Sequence, residues 1–125
     1  MKLKCYCGST NSFEDCCAPY IKNNKTAETA VVLMRSRYAA YVTQQADYLV
    51  NTTHSSTRKL HSKSAILDWS QSNQWIKLEV LNATSTTVEF KAYYVDSDQQ
   101  MQIHHEYSTF KEENGKWFYV DGSFY

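Results

Sequence analysis

The order of two hydrophobic periodicities along the chain predicts an α+β fold, in which helices pack on one face of an antiparallel sheet. In the first half apolar residues recur every three or four positions, as in helices that bury one face. From about residue 74 apolar and polar residues alternate, as in half-buried strands. All four cysteines precede both patterns, within residues 5–17, so we expect a small knuckle ahead of one domain.

The cysteines form two close pairs, Cys5-x-Cys7 followed by Gly8, and the adjacent Cys16 and Cys17. One intervening residue lets a tight turn direct the sulfurs of Cys5 and Cys7 at one metal ion, and Gly8 permits the chain to reverse. Cys16 and Cys17 can both be ligands only if the chain turns into a helix there. Because four thiolates suit a closed tetrahedral zinc site, all four cysteines are the predicted zinc ligands.

Two disulfides are the alternative use of four clustered cysteines in a short chain. However, no apolar run of signal-peptide length follows Met1, and no segment approaches the roughly 18 apolar residues of a membrane span. We therefore expect a cytoplasmic protein, in which thiols stay reduced and bind metal. With 13 basic and 13 acidic residues the formal charge is zero, so the composition carries no nucleic-acid-binding signature.

The cysteine pattern resembles the SEC-C zinc motif, best known from the C-terminal tail of the SecA translocation ATPase. The resemblance rests on Cys-x-Cys-Gly-Ser, on the spacing to the Cys-Cys pair, and on an aromatic residue three positions before that pair. Tyr6 stands where the family usually has proline and Phe13 where it usually has tyrosine, and neither change removes a ligand. The resemblance implies bound zinc and a protein partner, either a SecB-like chaperone or the translation machinery.

The boundary between the two parts is predicted between residues 25 and 26, giving a zinc knuckle at 1–25 and a domain at 26–125. Thr26 is a credible N-cap and Glu28 suits a first helical turn, so the first long helix should begin near Ala27 and end near residue 44 or 45. Its apolar stripe is Val31, Met34, Tyr38, Tyr41 and Val42. Shorter helices are expected at 46–51 and at about 57–70.

Four strands should follow these helices, beginning near residue 74. The residues assigned to the inner face of the first three strands are Ile76, Leu78 and Val80, then Val88, Phe90, Ala92 and Tyr94, then Met101, Ile103, His105 and Tyr107. Asn114-Gly115 is the strongest short hairpin signal in the chain and leads into a fourth strand at 116–121.

Nearly the whole chain resembles the YchJ-like family of bacterial proteins, whose body is a nuclear transport factor 2-like (cystatin-like) cone. The segments that carry the resemblance are residues 33–41 (LMRSRYAAY), 47–49 (DYL), 53–54 (TH) and 113–122 (ENGKWFYVDG). The family implies a bent sheet and a cavity between the first helix and the concave face. Many relatives carry a second zinc motif after the sheet, whereas this sequence stops at Tyr125 without one, so functions that need two knuckles are not expected.

Seven polar or aromatic residues are candidates to line that cavity and bind a ligand: Arg35, Tyr38, His54, Trp75, His105, Trp117 and Asp121. Arg35 and Arg37 lie about 200° apart around a helix and cannot both face the cavity, so we assign Arg37 to the surface. The adjacent His104 and His105 must point to opposite faces of a strand, and the alternation assigns His105 to the inside. Each candidate also has an ordinary structural use, as a core hydrogen bond, a cap or a surface charge.

Two functions stay open from the sequence. The first is a non-enzymatic, zinc-bearing adaptor whose knuckle docks a protein partner. The alternative is a small isomerase- or hydratase-like enzyme or small-ligand binder, with His105 or Asp121 as base and Arg35 or Tyr38 polarising the substrate. No Ser-His-Asp order, phosphate loop or paired-carboxylate motif supports catalysis, so no catalytic residue is assigned. A cavity filled by aromatic side chains, without perturbed titratable groups, would exclude the enzyme.

Overall fold

A computed structural model of the chain describes residues 4–124, in which helices cover one face of a four-stranded antiparallel sheet. The first three residues and Tyr125 lie outside the described residues. The expectations about the two ends of the chain rest partly on them. After a 3-10 turn at Phe13–Asp15, the helices are α1 (Ala18–Ile21), α2 (Ala30–Val42), α3 (Ala46–Asn51), α4 (Ser55–Arg58) and α5 (Lys63–Ser72). The strands are β1 (Gln74–Ala83), β2 (Thr87–Val95), β3 (Met101–Glu113) and β4 (Lys116–Phe124).

Helix α2 begins later than predicted, because Thr29 and not Thr26 is its N-cap. The Thr29 hydroxyl accepts a hydrogen bond from the Val32 amide at 3.2 Å. The residues before it are held by other contacts: the Glu28 carbonyl accepts a hydrogen bond from the Trp117 indole at 3.1 Å, and the Ala27 side chain is buried in the core. These contacts with the domain hold the chain before Thr29 outside the helix, which starts at Ala30.

The single helix expected at about 57–70 is two helices. His54 caps α4, since its Nδ1 atom accepts a hydrogen bond from the Ser56 amide at 3.1 Å. Ser62 then caps α5 by accepting from the Ala65 amide, also at 3.1 Å. A second N-cap of this strength inside the expected helix restarts it in a new direction.

The sheet has the sequential order β1-β2-β3-β4, and its inner face is as predicted only in part. In β2 the expected residues Val88, Phe90 and Ala92 are buried. In β1 a register shift between Trp75 and Lys77 turns Ile76 outwards, leaving it 47% exposed. In β3 the prediction is wrong, as the exposed residues are Met101, Ile103 and Tyr107 and the buried ones are Glu106, Ser108 and Phe110.

The inverted alternation in β3 has a physical cause in the cross-strand register. Phe90 of β2 pairs with Glu106 of β3, and paired residues share a face of the sheet. Glu106 and Ser108 therefore face the helices although they are polar, and they are hydrogen-bonded to each other there. The apolar residues on the other face carry the stronger sequence pattern, which is why the pattern indicates the wrong side.

Helix α2 packs against β1, β2 and β4 and forms the core with the sheet. Leu33 of α2, Leu49 of α3 and Val88 of β2 are almost completely buried in one cluster. Among residues 4–124 no helix is long and apolar enough to cross a membrane.

Candidate metal centre and cavity

The four cysteine sulfurs meet at one point of the knuckle, all within 4.8 Å of one another. The Sγ atom of Cys16 lies 3.7 Å from that of Cys7 and 3.9 Å from that of Cys17. Four sulfurs bonded to zinc at about 2.3 Å in a tetrahedron stand about 3.8 Å apart, so the cluster has the dimensions of a tetrathiolate metal site. All four are free thiols in this structure.

Two local turns bring the cysteine pairs together. The Gly8 amide bonds to the Cys5 carbonyl at 3.2 Å, and Gly8 has a φ of 95°, a conformation that favours glycine. Ser12 caps the 3-10 turn that precedes Cys16, and α1 starts directly after Cys17. The entry into a helix that the sequence requires for two adjacent ligands is thus present.

The charges of the metal-free thiols are unequal. A hydrogen bond from the Cys17 thiol, followed by other donors, lowers the pKa of Cys7 to about 4. Burial raises the pKa of Cys5 to about 11, and the pKa of Cys17 is raised chiefly because its proton is held in the bond to Cys7. Of these three cysteines, Cys7 is therefore the one favoured as a thiolate without metal, and a bound cation favours the ionised form of its ligands.

The knuckle is fixed to helix α2 by packing and by one charged hydrogen bond. Ala39 of α2 is completely buried against Cys5, Cys7 and Cys17. The Arg35 guanidinium donates a hydrogen bond to the Cys7 carbonyl at 2.7 Å. Arg35 therefore lies on the face of α2 that carries the knuckle, and its positive charge stands beside the thiolate cluster.

On the opposite face of α2 a cavity of about 270 Å³ opens between the helix and the sheet. Its walls are largely aromatic: Tyr38, Tyr41, Trp69, Trp75, Phe90, Tyr119 and Phe124. Trp69 packs edge-on against Trp75 at a centroid distance of 4.9 Å and against Tyr41 at 5.7 Å. These rings support one another and leave the space between helix and sheet open.

A buried carboxylate, Glu106, stands at the sheet side of the cavity and is only 5% exposed. His104 Nε2 lies 2.7 Å from its Oε1 atom, and the Tyr119 hydroxyl donates to Oε2 at 2.9 Å. The Ser108 hydroxyl also donates to Oε2. Burial alone would raise the pKa of Glu106, but the hydrogen bonds from His104, Ser108 and Tyr119 outweigh it and lower the pKa. The pKa of the Tyr119 hydroxyl is raised, chiefly by burial and secondly by the negative charge of Glu106.

Arg37 is the second charged group of the cavity, and its prediction as a surface residue is wrong because it is only 5% exposed. Its Nη1 atom donates to the Leu49 carbonyl at 2.9 Å and to the Thr52 hydroxyl at 2.7 Å. Its guanidinium carbon lies 4.7 Å from the centre of the Tyr119 ring. These contacts hold the guanidinium inside the domain.

Of the seven cavity candidates from the sequence, Tyr38 and Trp75 line the cavity. The other five lie elsewhere: Arg35 at the knuckle, His54 against Glu113 at 2.8 Å, His105 against Glu89 at 2.8 Å, Trp117 against the Glu28 carbonyl, and Asp121 exposed on β4. Of the two histidines of β3, the one on the cavity face is His104 and not His105, as the inverted alternation of the strand requires.

The polar cavity residues that the sequence analysis missed are Arg37, Tyr41, Thr53, His61, His104, Glu106 and Tyr119. Arg37 carries a signal in the sequence, because positions 34, 37, 38 and 41 follow the i, i+3, i+4, i+7 spacing of one helix face. Glu106 and His104 carry no such signal in the sequence, because only the pairing of β3 with β2 determines which face of the sheet they occupy.

Replacement of Glu106 by glutamine should make the free energy of unfolding less dependent on pH in the acidic range. Because the folded state lowers the pKa of Glu106 below its ordinary value of 4.5, ionisation stabilises the fold near neutral pH. That stabilisation is present above the ordinary value and is lost as the pH falls through the folded pKa. We expect the free energy of unfolding of wild type to exceed that of Glu106→Gln near pH 7, and the difference to shrink as the pH falls below 4.5 and through the folded pKa of Glu106.

Urea unfolding at a series of pH values, monitored by tryptophan fluorescence, tests this. Glu112→Gln, an exposed carboxylate of the same strand, is the matched control and should follow the wild-type curve. Parallel curves for wild type and Glu106→Gln would show that Glu106 does not ionise differently in the two states.

Comparison with known proteins places this geometry in a family. Residues 29–122 match the protein family described as "YchJ, middle NTF2-like domain". A UPF0225 protein of Photorhabdus laumondii is 41% identical over 128 aligned residues, which cover 94% of this chain and 79% of that protein. A UPF0225 protein of Polaromonas naphthalenivorans is 38% identical, and the alignment covers 98% of each chain.

Two solved structures have the same fold over almost the whole chain. The solution structure of a SEC-C motif containing protein from Rhodopseudomonas palustris superimposes with a TM-score of 0.89 at 34% identity, covering 97% of this chain and 98% of that one. The crystal structure of a SEC-C motif containing protein from Psychrobacter arcticus gives a TM-score of 0.80 at 32% identity, covering 94% and 80%. The predicted α+β cone with a SEC-C-like N-terminus is confirmed as the fold class.

Proposed function

The chain belongs to the YchJ-like family, and on that premise we propose that it is a zinc-binding adaptor whose knuckle, residues 1–25, docks a protein partner. Cys5, Cys7, Cys16 and Cys17 hold the ion. The observation that carries the proposal is the cluster of four sulfurs within 4.8 Å of one another, with separations of 3.7 and 3.9 Å at Cys16 that match a tetrathiolate zinc site. The zinc is structural, because four protein ligands leave no open position for a substrate.

A structural ion makes the knuckle a rigid surface, and an exposed tyrosine on it, held by a half-buried phenylalanine, is suited to docking. Tyr6 is 43% exposed and packs against Phe13 at a centroid distance of 5.2 Å. Aromatic residues that are held in place by a neighbour bind partners at low entropic cost. By the SEC-C resemblance the partner is a SecB-like chaperone or the translation machinery, and the reduced thiols fit a cytoplasmic location.

Metal analysis of the purified chain should find about one zinc per molecule. Cys5→Ser and Cys16→Ser should each lose most of it, since three thiolates bind zinc far more weakly than four. Cobalt(II) reconstitution should give the visible absorption of tetrahedral thiolate coordination in wild type and not in either variant. Zinc retained by both variants would overturn the ligand assignment.

Docking is tested separately with the purified SecB-like chaperone and ribosomes of the source bacterium. Tyr6→Ala keeps all four ligands, so it should bind zinc normally but lose partner binding. The two cysteine variants should lose both. A partner that binds wild type and all three variants equally well would contradict the adaptor role of the knuckle.

The second candidate function, binding or isomerising a small molecule, is favoured by the cavity. It is hollow, with about 270 Å³ of space, and it contains a buried carboxylate with a lowered pKa and a tyrosine with a raised pKa. Perturbed groups in an apolar cavity are typical of ligand or catalytic sites. The condition that would exclude an enzyme is therefore not met.

A further inference from the structure

The cavity contains hydrogen-bond donors that the domain does not use. Within residues 4–124, every hydrogen bond that Arg37 makes comes from one nitrogen, Nη1. No ion pair to Arg37 occurs in the same part of the chain, although its side chain is buried. A buried guanidinium without a carboxylate partner is costly, and a negatively charged ligand would offset that cost.

The unused nitrogens reach open space, not a sealed interior. In the described residues no fully buried side-chain nitrogen or oxygen lacks a partner. The Nε and Nη2 atoms of Arg37 make no hydrogen bond to those residues, so they must adjoin accessible space, and the space that Arg37 lines is the cavity. The same argument applies to the hydroxyls of Tyr38 and Tyr41, which line the cavity and bond to none of the described residues.

The carboxylate of Glu106 is in the opposite situation. It already accepts hydrogen bonds from His104, Ser108 and Tyr119, so its lone pairs are largely used and part of its charge is offset. A cationic ligand would have to compete with these internal donors. The cavity therefore offers free donors at α2 and a satisfied acceptor at β3, which favours a ligand that carries acceptor oxygens.

The geometry points to a small, one-ring carboxylate as the ligand of this cavity, with Arg37, Tyr38 and Tyr41 as its anchors. This inference rests on the second candidate function and names its ligand class. The planar pair of N–H groups at Nε and Nη2 matches the two oxygens of a carboxylate. The aromatic walls fit a ring, and about 270 Å³ exceeds the 150 Å³ or so that accommodates benzene in an engineered cavity.

Benzoate is the probe, and benzyl alcohol and benzylamine are its neutral and cationic counterparts. Binding to the zinc-loaded full chain is measured by titrating amide chemical shifts and the fluorescence of Trp69 and Trp75. Benzoate should saturate, should shift the amides of α2 and β3 around the cavity, and should bind at least about tenfold more tightly than either counterpart, since one charge-assisted hydrogen bond contributes about 1.5 kcal/mol or more.

The decisive variants remove single donors and keep the fold. Tyr38→Phe and Tyr41→Phe delete hydroxyls without internal partners and should each weaken benzoate binding by about tenfold. Arg37→Lys keeps the charge but loses the planar fork, with a similar loss expected. Tyr93→Phe is the matched control, because the Tyr93 hydroxyl bonds to Glu79 on the exposed side of the sheet.

Three outcomes would overturn the inference. The first is no saturable benzoate binding up to about 10 mM, a concentration that corresponds to a binding free energy of about 3 kcal/mol. The second is equal binding of benzyl alcohol or benzylamine, and the third is cavity variants that bind benzoate as well as Tyr93→Phe does. Zinc content is measured on the same samples. A chain with zinc but no benzoate binding refutes the cavity inference alone, and benzoate binding without zinc refutes the adaptor proposal alone.

Discussion

A strong chelator is expected to unfold the knuckle and leave the sheet folded. The knuckle has few apolar side chains, so metal binding must supply most of its folding free energy, on the order of 10 kcal/mol in small zinc domains. The domain from residue 26 onwards has its own core of Leu33, Leu49 and Val88 and about 100 residues, a size that folds alone. Amide signals before about Tyr20 should collapse to the random-coil range, while those of β1 to β4 keep their dispersion.

The contacts between knuckle and helix α2 refine this expectation. Ala39 and Arg35 face the cysteine cluster, so their amides should shift on chelation although α2 stays helical. Added zinc should restore every signal. Arg35→Gln is the control variant, since it loses the charged contact to the Cys7 carbonyl but keeps all four ligands, and its knuckle should still respond to metal. An ordered knuckle without metal, or loss of the sheet on chelation, would contradict the site or the boundary.

The knuckle could be predicted from sequence because its chemistry is local. Two cysteine pairs within thirteen residues can bring four sulfurs to one point without help from distant segments, and the turns that do so contain Gly8 and Ser12. No distant contact has to be known. The same holds for helix α3, whose predicted range of 46–51 is the one observed.

The cavity could not be predicted in the same way, because its polar residues depend on long-range pairing. Arg37 is predicted at the surface because it cannot share a helix face with Arg35, whereas its position on the helix face of Met34 and Tyr41 determines its burial. The acceptors that compensate for its burial, the Leu49 carbonyl and the Thr52 hydroxyl, come from the C-terminal end of α3 and carry no mark in the sequence. On β3 the outer face is the more apolar in sequence, so alternation alone selects His105 where the register selects His104.

Substitution of Gly122 by alanine should destabilise the domain by about 3 kcal/mol or more through Glu106. Gly122 lies in β4 opposite Ser108, and a Cβ atom there would stand 2.7 Å from Cδ and 2.8 Å from Cγ of Glu106 and would overlap its Oε2 atom. Overpacking of a core costs about 1–3 kcal/mol, and each buried donor that loses its acceptor adds about 1–3 kcal/mol. Displacing the carboxylate leaves the hydroxyls of Ser108 and Tyr119 without their acceptor.

The double variant distinguishes this mechanism from a general intolerance of β4 to substitution. In Glu106→Ala the carboxylate is already absent, so adding Gly122→Ala meets no carboxylate and should cost little more. The free energies of unfolding, from urea titrations of wild type, both single variants and the double variant, should therefore be strongly non-additive, with a coupling energy of about 2 kcal/mol or more. Additive effects would mean that Gly122 is required for a reason other than room for Glu106. A large coupling energy would mean that β4 can lie against the buried carboxylate only because Gly122 has no side chain. The carboxylate then stays within reach of His104, Ser108 and Tyr119.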